Sequence, residues 1–189
     1  MFRAVSPPQP SAESLASYAA LYRSQFAFVW RSLRRLGVEE REVADAAQEV
    51  FLVVFKKLPE LDLESRLTTW LYAVCLRVAS DWRRRAHRRH ELVGVDAEQP
   101  TAQSTESAHV ADLRTLLWRA LDAMPLEQRA VFVAFELEGM TGEEIASALA
   151  VPTPTIHSRL RLARDKFRAV VERERAQTGQ HAVKIGGAQ

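Results

Sequence analysis

The chain has 189 residues, 47% of them hydrophobic, and a formal net charge of +2. This length and hydrophobic fraction are enough to build the core of one ordinary domain or of two small ones. The near-neutral net charge excludes a uniformly basic surface for binding nucleic acid. The single cysteine, Cys75, excludes an internal disulfide and a cysteine metal cluster, and its apolar neighbours favour a buried structural thiol over a redox switch.

Residues 1–13 predict a disordered lead-in. The segment 6–10 carries three prolines, and no apolar run follows a basic start, so the pattern is not typical of a signal peptide. We therefore expect a cytoplasmic protein that does not insert into a membrane.

Residues 14–90 predict a first domain made of helices. One helix has its apolar face on Val43, Ala47, Val50, Phe51 and Val54, and the next, from Arg66 to about Arg88, has its apolar face on Leu67, Leu71, Val74 and Val78. The segment 39–49 is acidic, with five acids against one arginine. Because no stretch of the chain alternates convincingly with period two, we expect an all-α fold.

The second of these helices ends in a strongly basic segment. Residues 77–90 hold six arginines and one acid, and steps of three, four and seven residues put Arg77, Asp81, Arg84 and Arg88 on one stripe. A favourable interaction with the helix dipole would account for two or three arginines. Six of them, interleaved with Trp82 and two histidines, favour a surface that binds phosphates.

Residues 91–109 predict an acidic linker between two domains. The segment 91–112 has five acids and no lysine or arginine, and it contains Gly94, Pro100 and a cluster of Thr, Ser and Gln.

Residues 110–175 predict a second domain that ends in a helix-turn-helix. A helix over 110–124 and a second one from Pro125 to about Glu138 come first; Thr141 and Glu144 then stand at the spacing of a capping box. After the break at 151–152, the next helix has an apolar face and a basic face, which an ordinary amphipathic helix would also show. The short first helix, the broken turn and the polar start of the second helix favour a DNA-reading helix. A short disordered tail is expected over 176–189.

Four fragments in order resemble a known family: the segment Asp45–Phe51, the segment Arg66–Tyr72, Asp81 with the arginines after it, and the helix-turn-helix. Together they resemble an extracytoplasmic-function (ECF) sigma factor, from the small two-domain branch of the sigma-70 superfamily of bacterial transcription initiation factors. The resemblance covers about residues 14–172. It implies two small helical domains, a region 2 helical bundle and a region 4 helix-turn-helix, joined by a flexible linker.

The resemblance also implies partners and site residues. Core RNA polymerase would be bound through the clamp helices of its largest subunit and through its flap, with the clamp contacts at Asp45, Gln48 and Glu49. The melted minus-ten element of promoter DNA would be contacted by Lys56, Arg66, Trp70, Arg77, Asp81, Arg84, Arg85 and Arg88, although Trp70 flanks the apolar face and core packing is the alternative. The minus-thirty-five element would be read by Thr153, Thr155, His157, Ser158, Arg159 and Arg161. An anti-sigma partner is usual in the family and is expected here.

Two positions depart from the family pattern. Arg77 stands where the family commonly has Asn, and Pro154 stands where it commonly has Gly before the Thr of the reading helix. Proline is tolerated in the first turn of a helix, whose amides lack intrahelical partners. Arg77 replaces an amide that both donates and accepts with a donor-only cation, so the preferred promoter motif can differ from that of other members.

Two other classes of function compete with this interpretation. A conventional helix-turn-helix regulator would carry an N-terminal sensing or dimerisation domain and would not replace the polymerase specificity subunit, but a sensing domain has no need of a second DNA-binding surface. An enzyme is disfavoured because the sequence shows no glycine-rich phosphate loop, nucleophile motif or metal cluster. His87 and His90 have a ligand spacing, but the surrounding arginines would repel a cation, so we expect no metal and no cofactor.

Overall fold

The structure is a computed structural model that describes residues 12–58, 67–93 and 108–186, and every regular element in these ranges is helical. The elements in chain order are α1 (Ala12–Arg35), a short 3-10 turn (Glu40–Glu42), α2 (Val43–Lys57), α3 (Leu67–Val93), α4 (Ala108–Asp122), α5 (Leu126–Phe132) with a π-helical continuation (Val133–Leu137), α6 (Gly142–Leu149) and α7 (Thr153–Gly186). The predicted all-α class is confirmed.

Helices α1, α2 and α3 pack pairwise into an N-terminal bundle. The apolar positions predicted for α2 are all buried, as are Leu71, Val74 and Val78 of α3, while Leu67 is partly buried against the same core. On α1, four aromatic residues follow one another every four residues, which places them on one face: Tyr18, Tyr22, Phe26 and Trp30. The middle two of these rings contact Phe51 of α2.

The C-terminal bundle is organised around α7, against which α4, α5 and α6 all pack. The predicted capping box is present, since Thr141 Oγ1 accepts from the Glu144 amide at 3.2 Å and the Glu144 carboxylate accepts from the Thr141 amide at 2.7 Å. The turn between α6 and α7 uses Ala150 in the left-handed conformation, with φ 53°. The predicted inner face of α7 is confirmed: Ile156, Leu160 and Ala163 are buried, and Phe167 stacks on Phe132 at 5.3 Å.

Several helix ends differ from the sequence-based bounds. Helix α3 continues to Val93 and α4 begins at Ala108, so both enter the predicted linker over 91–109, and α1 begins at Ala12 inside the predicted lead-in over 1–13. Helix α7 continues to Gly186, inside the segment predicted as a tail over 176–189. Extending an existing helix needs no new nucleus, so residues of ordinary propensity prolong it. Residues 1–11, the loop 59–66 with Arg66, the linker segment 94–107 and residues 187–189 lie outside the described residues.

The two bundles are in direct contact. Helix α3 packs against α6, and the buried hydroxyl of Tyr72 on α3 donates to the carbonyl of Ala130 on α5 at 2.7 Å. Arg35 at the end of α1 forms an ion pair with Glu138 at 2.6 Å. One continuous hydrophobic core therefore runs through both bundles.

Candidate functional site

The outer face of α2 is polar and acidic at its start. Asp45 and Gln48 are exposed, Glu49 is half-buried, and Leu52 one turn later leaves 50% of its surface exposed. The opposite side of the helix is anchored in the core by residues such as Val50. We name Asp45, Gln48, Glu49 and Leu52 the α2 face. It joins carboxylates to an exposed apolar side chain, which suits a partner surface that is basic at its rim and apolar at its centre.

The arginines at the end of α3 lie on the surface as their spacing predicts. Arg77, Arg84, Arg85 and Arg88 are exposed and Asp81 is half-buried between them. We name these five residues the arginine ridge. Arg77 and Arg88, at the two ends of the ridge, stand three helical turns apart. Among the described residues, neither of them forms an ion pair. Exposed cations along one helix face are suited to a phosphate backbone.

Acidic residues hold three arginines of this segment. Arg84 pairs with Asp81 one turn before it, and Arg85 Nη1 lies 3.0 Å from Glu49 Oε1 of the α2 face. Arg85 also lies over the ring of Trp82, with its Cζ 5.2 Å from the ring centroid. Arg89 pairs with Glu42, whose side chain is only 9% exposed. The arginine ridge and the α2 face are therefore linked by an ion pair.

Three further residues predicted for the minus-ten element have different surroundings. Lys56 is exposed in the last turn of α2. Trp70 is half-buried and packs against the hydrophobic core, so both interpretations raised by the sequence are compatible with its position. Arg66 lies outside the described residues.

The start of α7, which we call the reading helix, is polar. His157, Ser158 and Arg161 are exposed, while Thr153, Thr155 and Arg159 are half-buried. Pro154 occupies the first turn of the helix, where it removes no intrahelical hydrogen bond. The arrangement presents small polar side chains and one arginine to solvent at the N-terminal end of the helix, which is the end that contacts bases in helix-turn-helix proteins.

The two basic residues of the reading helix differ in orientation. Arg159 Nη2 lies 3.0 Å from the Glu127 carboxylate of α5, and only 24% of its side chain is exposed. Arg161 leaves 70% of its side chain exposed and lies 3.6 Å from Asp165 of its own helix. Arg161 is therefore the more accessible of the two.

A cleft of about 440 Å³ lies between the bundles. Arg77, Asp81 and Arg84 of the arginine ridge line one side of it, while Glu127 and Arg159 line the other. Of the residues predicted for separate DNA elements, three of the arginine ridge and Arg159 of the reading helix therefore line one cleft.

Arg129 is a charged residue that the sequence analysis missed. Its side chain is only 2% exposed, and burial lowers its pKa, while the hydrogen bond and charge of Asp122 act in the opposite direction. The sequence signal for this site was the position of Arg129 at the start of the apolar run 130–135, where an arginine needs partners to be buried.

The prediction that Cys75 is a buried thiol is confirmed. Burial raises the pKa of the Cys75 thiol and that of the Tyr72 hydroxyl.

The described ranges contain neither a candidate metal cluster nor a candidate membrane span. In residues 12–58, 67–93 and 108–186, His, Cys, Asp and Glu form no group of three that could hold a metal ion. None of the described helices combines the length and apolarity needed to cross a bilayer.

Two family models match the chain, one on each bundle. The model for sigma-70 region 2 matches residues 21–89, and the model for sigma-70 region 4 matches residues 114–167. The first match covers all three N-terminal helices in large part, including the α2 face and the arginine ridge. The second covers the helix-turn-helix.

Curated relatives agree with these matches. The chain is 28% identical over 173 residues to the ECF RNA polymerase sigma factor SigE of Mycolicibacterium smegmatis, covering 89% of this chain and 67% of that protein. It is also 28% identical over 141 residues to the ECF RNA polymerase sigma-E factor of Escherichia coli K12, covering 68% of this chain and 73% of the relative.

Solved structures share the fold. The sigma factor RpoE of Bartonella quintana, in complex with the anti-sigma factor NepR, superposes with a TM-score of 0.69 at 17% identity, covering 82% of this chain and 97% of that one. CnrH, in complex with the cytosolic domain of CnrY, gives a TM-score of 0.63 at 19% identity, covering 85% of this chain and 94% of CnrH.

Proposed function

The chain belongs to the sigma-70 family as an ECF RNA polymerase sigma factor, and we propose that its α2 face binds core polymerase while the arginine ridge and the reading helix bind two separate promoter elements. As a sigma factor it binds core RNA polymerase, recognises promoter DNA and directs the start of transcription. The observation that carries the function is the match of region 2 and region 4 to the two bundles in order. A conventional regulator would not have region 2 as its N-terminal domain.

The proposed mechanism is binding without catalysis by this chain. The arginine ridge would hold the backbone of the melted strand, with Lys56 and Trp70 beside it, and His157, Ser158 and Arg161 would contact bases and phosphates of the second element. Unstacking a base costs a few kcal/mol, which contacts from aromatic and cationic side chains offset. The half-buried Arg159, held by Glu127, would act at the edge of the reading surface. We place this activity in the cytoplasm, where polymerase and DNA are.

An anti-sigma protein is the second partner that we propose. RpoE and CnrH are bound to NepR and CnrY in their solved complexes, and both share this fold. The exposed Leu52 on the otherwise acidic α2 face supports a competitor that covers the polymerase contact. Such a protein would abolish promoter-dependent transcription when added before core polymerase, but not when added after the holoenzyme has formed an open complex.

The test is run-off transcription with purified bacterial core polymerase on a library of randomised promoters. We expect transcripts that require the chain, and the selected templates will share two elements at a fixed spacing. Asp45→Asn with Gln48→Ala is expected to lose core binding and all transcripts, whereas His157→Ala with Arg161→Ala is expected to keep core binding and lose the upstream element. Arg23→Ala, on the exposed side of α1, is the control. Failure to confer any initiation, with core binding absent, would refute the proposal.

A further inference from the structure

Leu162 is an apolar side chain on the outer surface of the reading helix. Its neighbours Leu160 and Ala163 are buried against the core, whereas Leu162 leaves 40% of its surface exposed. Among the α7 residues whose side chains the structure describes, 153–177, it is the one large apolar side chain that is exposed. A single exposed leucine is ordinary on a protein surface, so its meaning depends on the helix face that it occupies.

Leu162 lies on the face that carries the small polar residues of the reading helix. It stands four positions after Ser158 and seven after Thr155, so the three side chains form one stripe along the helix. The residues that anchor the helix in the core, such as Ile156 and Leu160, lie on the opposite side. A leucine that served only to cover the core would stand with them. Leu162 therefore faces whatever the polar start of the reading helix faces.

The stripe has the length of a contact in the major groove. Thr155 and Leu162 are separated by about 10 Å along the helix axis, and the groove is about 12 Å wide. Leu162 lies about 6 Å beyond Ser158, which corresponds to about two base pairs when the helix follows the groove. Three residues later, Asp165 pairs with Arg168 at 2.7 Å. Because a carboxylate repels phosphates, Asp165 sets the end of the groove-facing segment just beyond Leu162.

The side chains of the stripe are suited to different features of a base pair. The Ser158 hydroxyl donates to the Thr155 carbonyl at 3.0 Å, so its lone pairs can accept from an amino group of adenine or cytosine. Leu162 has no hydrogen-bonding group in its side chain, and the apolar group that DNA presents in the major groove is the C5 methyl of thymine. Contact between the two removes apolar surface of both partners from water, which is favourable.

We propose that Leu162 is a specificity-determining residue of the reading helix, which selects a thymine within about three base pairs of the base pair that Ser158 contacts. The inference rests on the proposed function for the identity of the DNA, and it adds a thymine to what the upstream promoter element must contain. The contact involves no phosphate and releases no counterion. Its contribution to affinity is therefore expected to be independent of salt, unlike that of the arginines.

The test removes the methyl group of thymine without changing its base pairing. Selection of randomised duplexes with the full chain gives the preferred upstream element, and each of its thymines is then replaced by deoxyuridine, which lacks the C5 methyl. We expect one replacement to weaken binding by the parent about three- to fivefold, the effect of one methyl-sized apolar group, equally at two salt concentrations in fluorescence anisotropy. Leu162→Ala is expected to lose at least this factor on the thymine duplex and to bind both duplexes equally.

The methyl effect is a ratio of two affinities measured on one protein. A loss of folded protein would lower binding to both duplexes alike, so a merely structural role of Leu162 would leave the ratio unchanged. Leu15→Ala, the same change at an exposed leucine of α1, is the matched control and is expected to keep both the affinity and the methyl effect. Circular dichroism compares the helical content of the three proteins.

Three results would overturn the inference: a selected element without thymine, no thymine whose methyl affects binding, or a methyl effect that Leu162→Ala retains. If Leu162→Ala retains the methyl effect and loses binding to core polymerase, Leu162 faces a protein instead of DNA. Run-off transcription tests the proposed function separately. A methyl effect that depends on Leu162 in a chain that never initiates refutes the function alone, and initiation without such an effect refutes this inference alone.

Discussion

The turn of the helix-turn-helix offers a test in which one substitution is expected to have opposite effects at two sites. Ala150 has φ 53° and ψ 43°, a conformation that costs a residue with a Cβ about 1–2 kcal/mol and costs glycine almost nothing. Ala150→Gly removes this strain, and the added freedom of the unfolded chain takes back about 0.5–1 kcal/mol. Because Ala150 is exposed, no packing is lost. The expected net effect is a stabilisation of about 0.5–1 kcal/mol.

The matched control is Ala169→Gly, at an exposed site inside α7. There the same change is expected to destabilise by about 1 kcal/mol, because glycine disfavours a helix interior. Urea unfolding of the full chain, followed by circular dichroism with a shared m-value, gives both free energies of unfolding. If Ala150→Gly destabilises the fold as much as Ala169→Gly, residue 150 does not have the left-handed backbone conformation. The angle between α6 and the reading helix would then not depend on that conformation.

Three further predictions concern Gly37, Cys75 and Arg77. Gly37→Ala is expected to cost about 1–3 kcal/mol in urea unfolding, because φ +93° strains any residue that has a Cβ, while the Arg83 guanidinium that the Cβ would meet ends a flexible side chain and can move aside; Gly139→Ala, with φ +69° and nothing within 4 Å, is the control for backbone strain alone. Burial raises the pKa of Cys75, so the folded state keeps this proton longer than the unfolded state, and stability should fall above pH ~8.5 by up to about 1.4 kcal/mol per pH unit. Cys75→Ala should flatten that part of the profile. Arg77→Ala should reduce the salt slope of promoter binding by holoenzyme by about one, and Arg23→Ala should leave it unchanged.

Periodicity predicted the parts of this fold that are set by local spacing. The inner face of α2 and the inner face of α7 follow from apolar residues three and four positions apart, and the capping box follows from Thr141 and Glu144 alone. These features depend on residues within one or two turns of each other. A single sequence carries that information directly.

The contacts between the bundles could not be predicted in this way. The partners of Arg129 are carbonyls at residues 34 and 35, almost a hundred positions earlier, and carbonyls leave no mark in a sequence. The same holds for Arg159, which the family resemblance grouped with Arg161 as a DNA-reading residue, whereas Glu127 holds it at the edge of the cleft. Helix ends were misjudged because an existing helix extends at little cost through residues that would not start one.

The acids beside the arginine ridge are predicted to weaken the binding of the free chain, whose net charge is +2, to DNA. Glu49 belongs to the α2 face yet pairs with Arg85, and water reaches 39% and 47% of the two side chains, so the pair contributes at most about 1 kcal/mol and is easily exchanged. We expect a partner that engages Glu49 to free Arg85 for a phosphate. Glu49→Gln should therefore raise the affinity of the free chain for DNA about two- to fivefold, measured by fluorescence anisotropy at low salt. Glu172→Gln, an exposed site in α7 that removes the same charge without freeing an arginine of the ridge, should change it much less; equal effects would mean that only net charge matters.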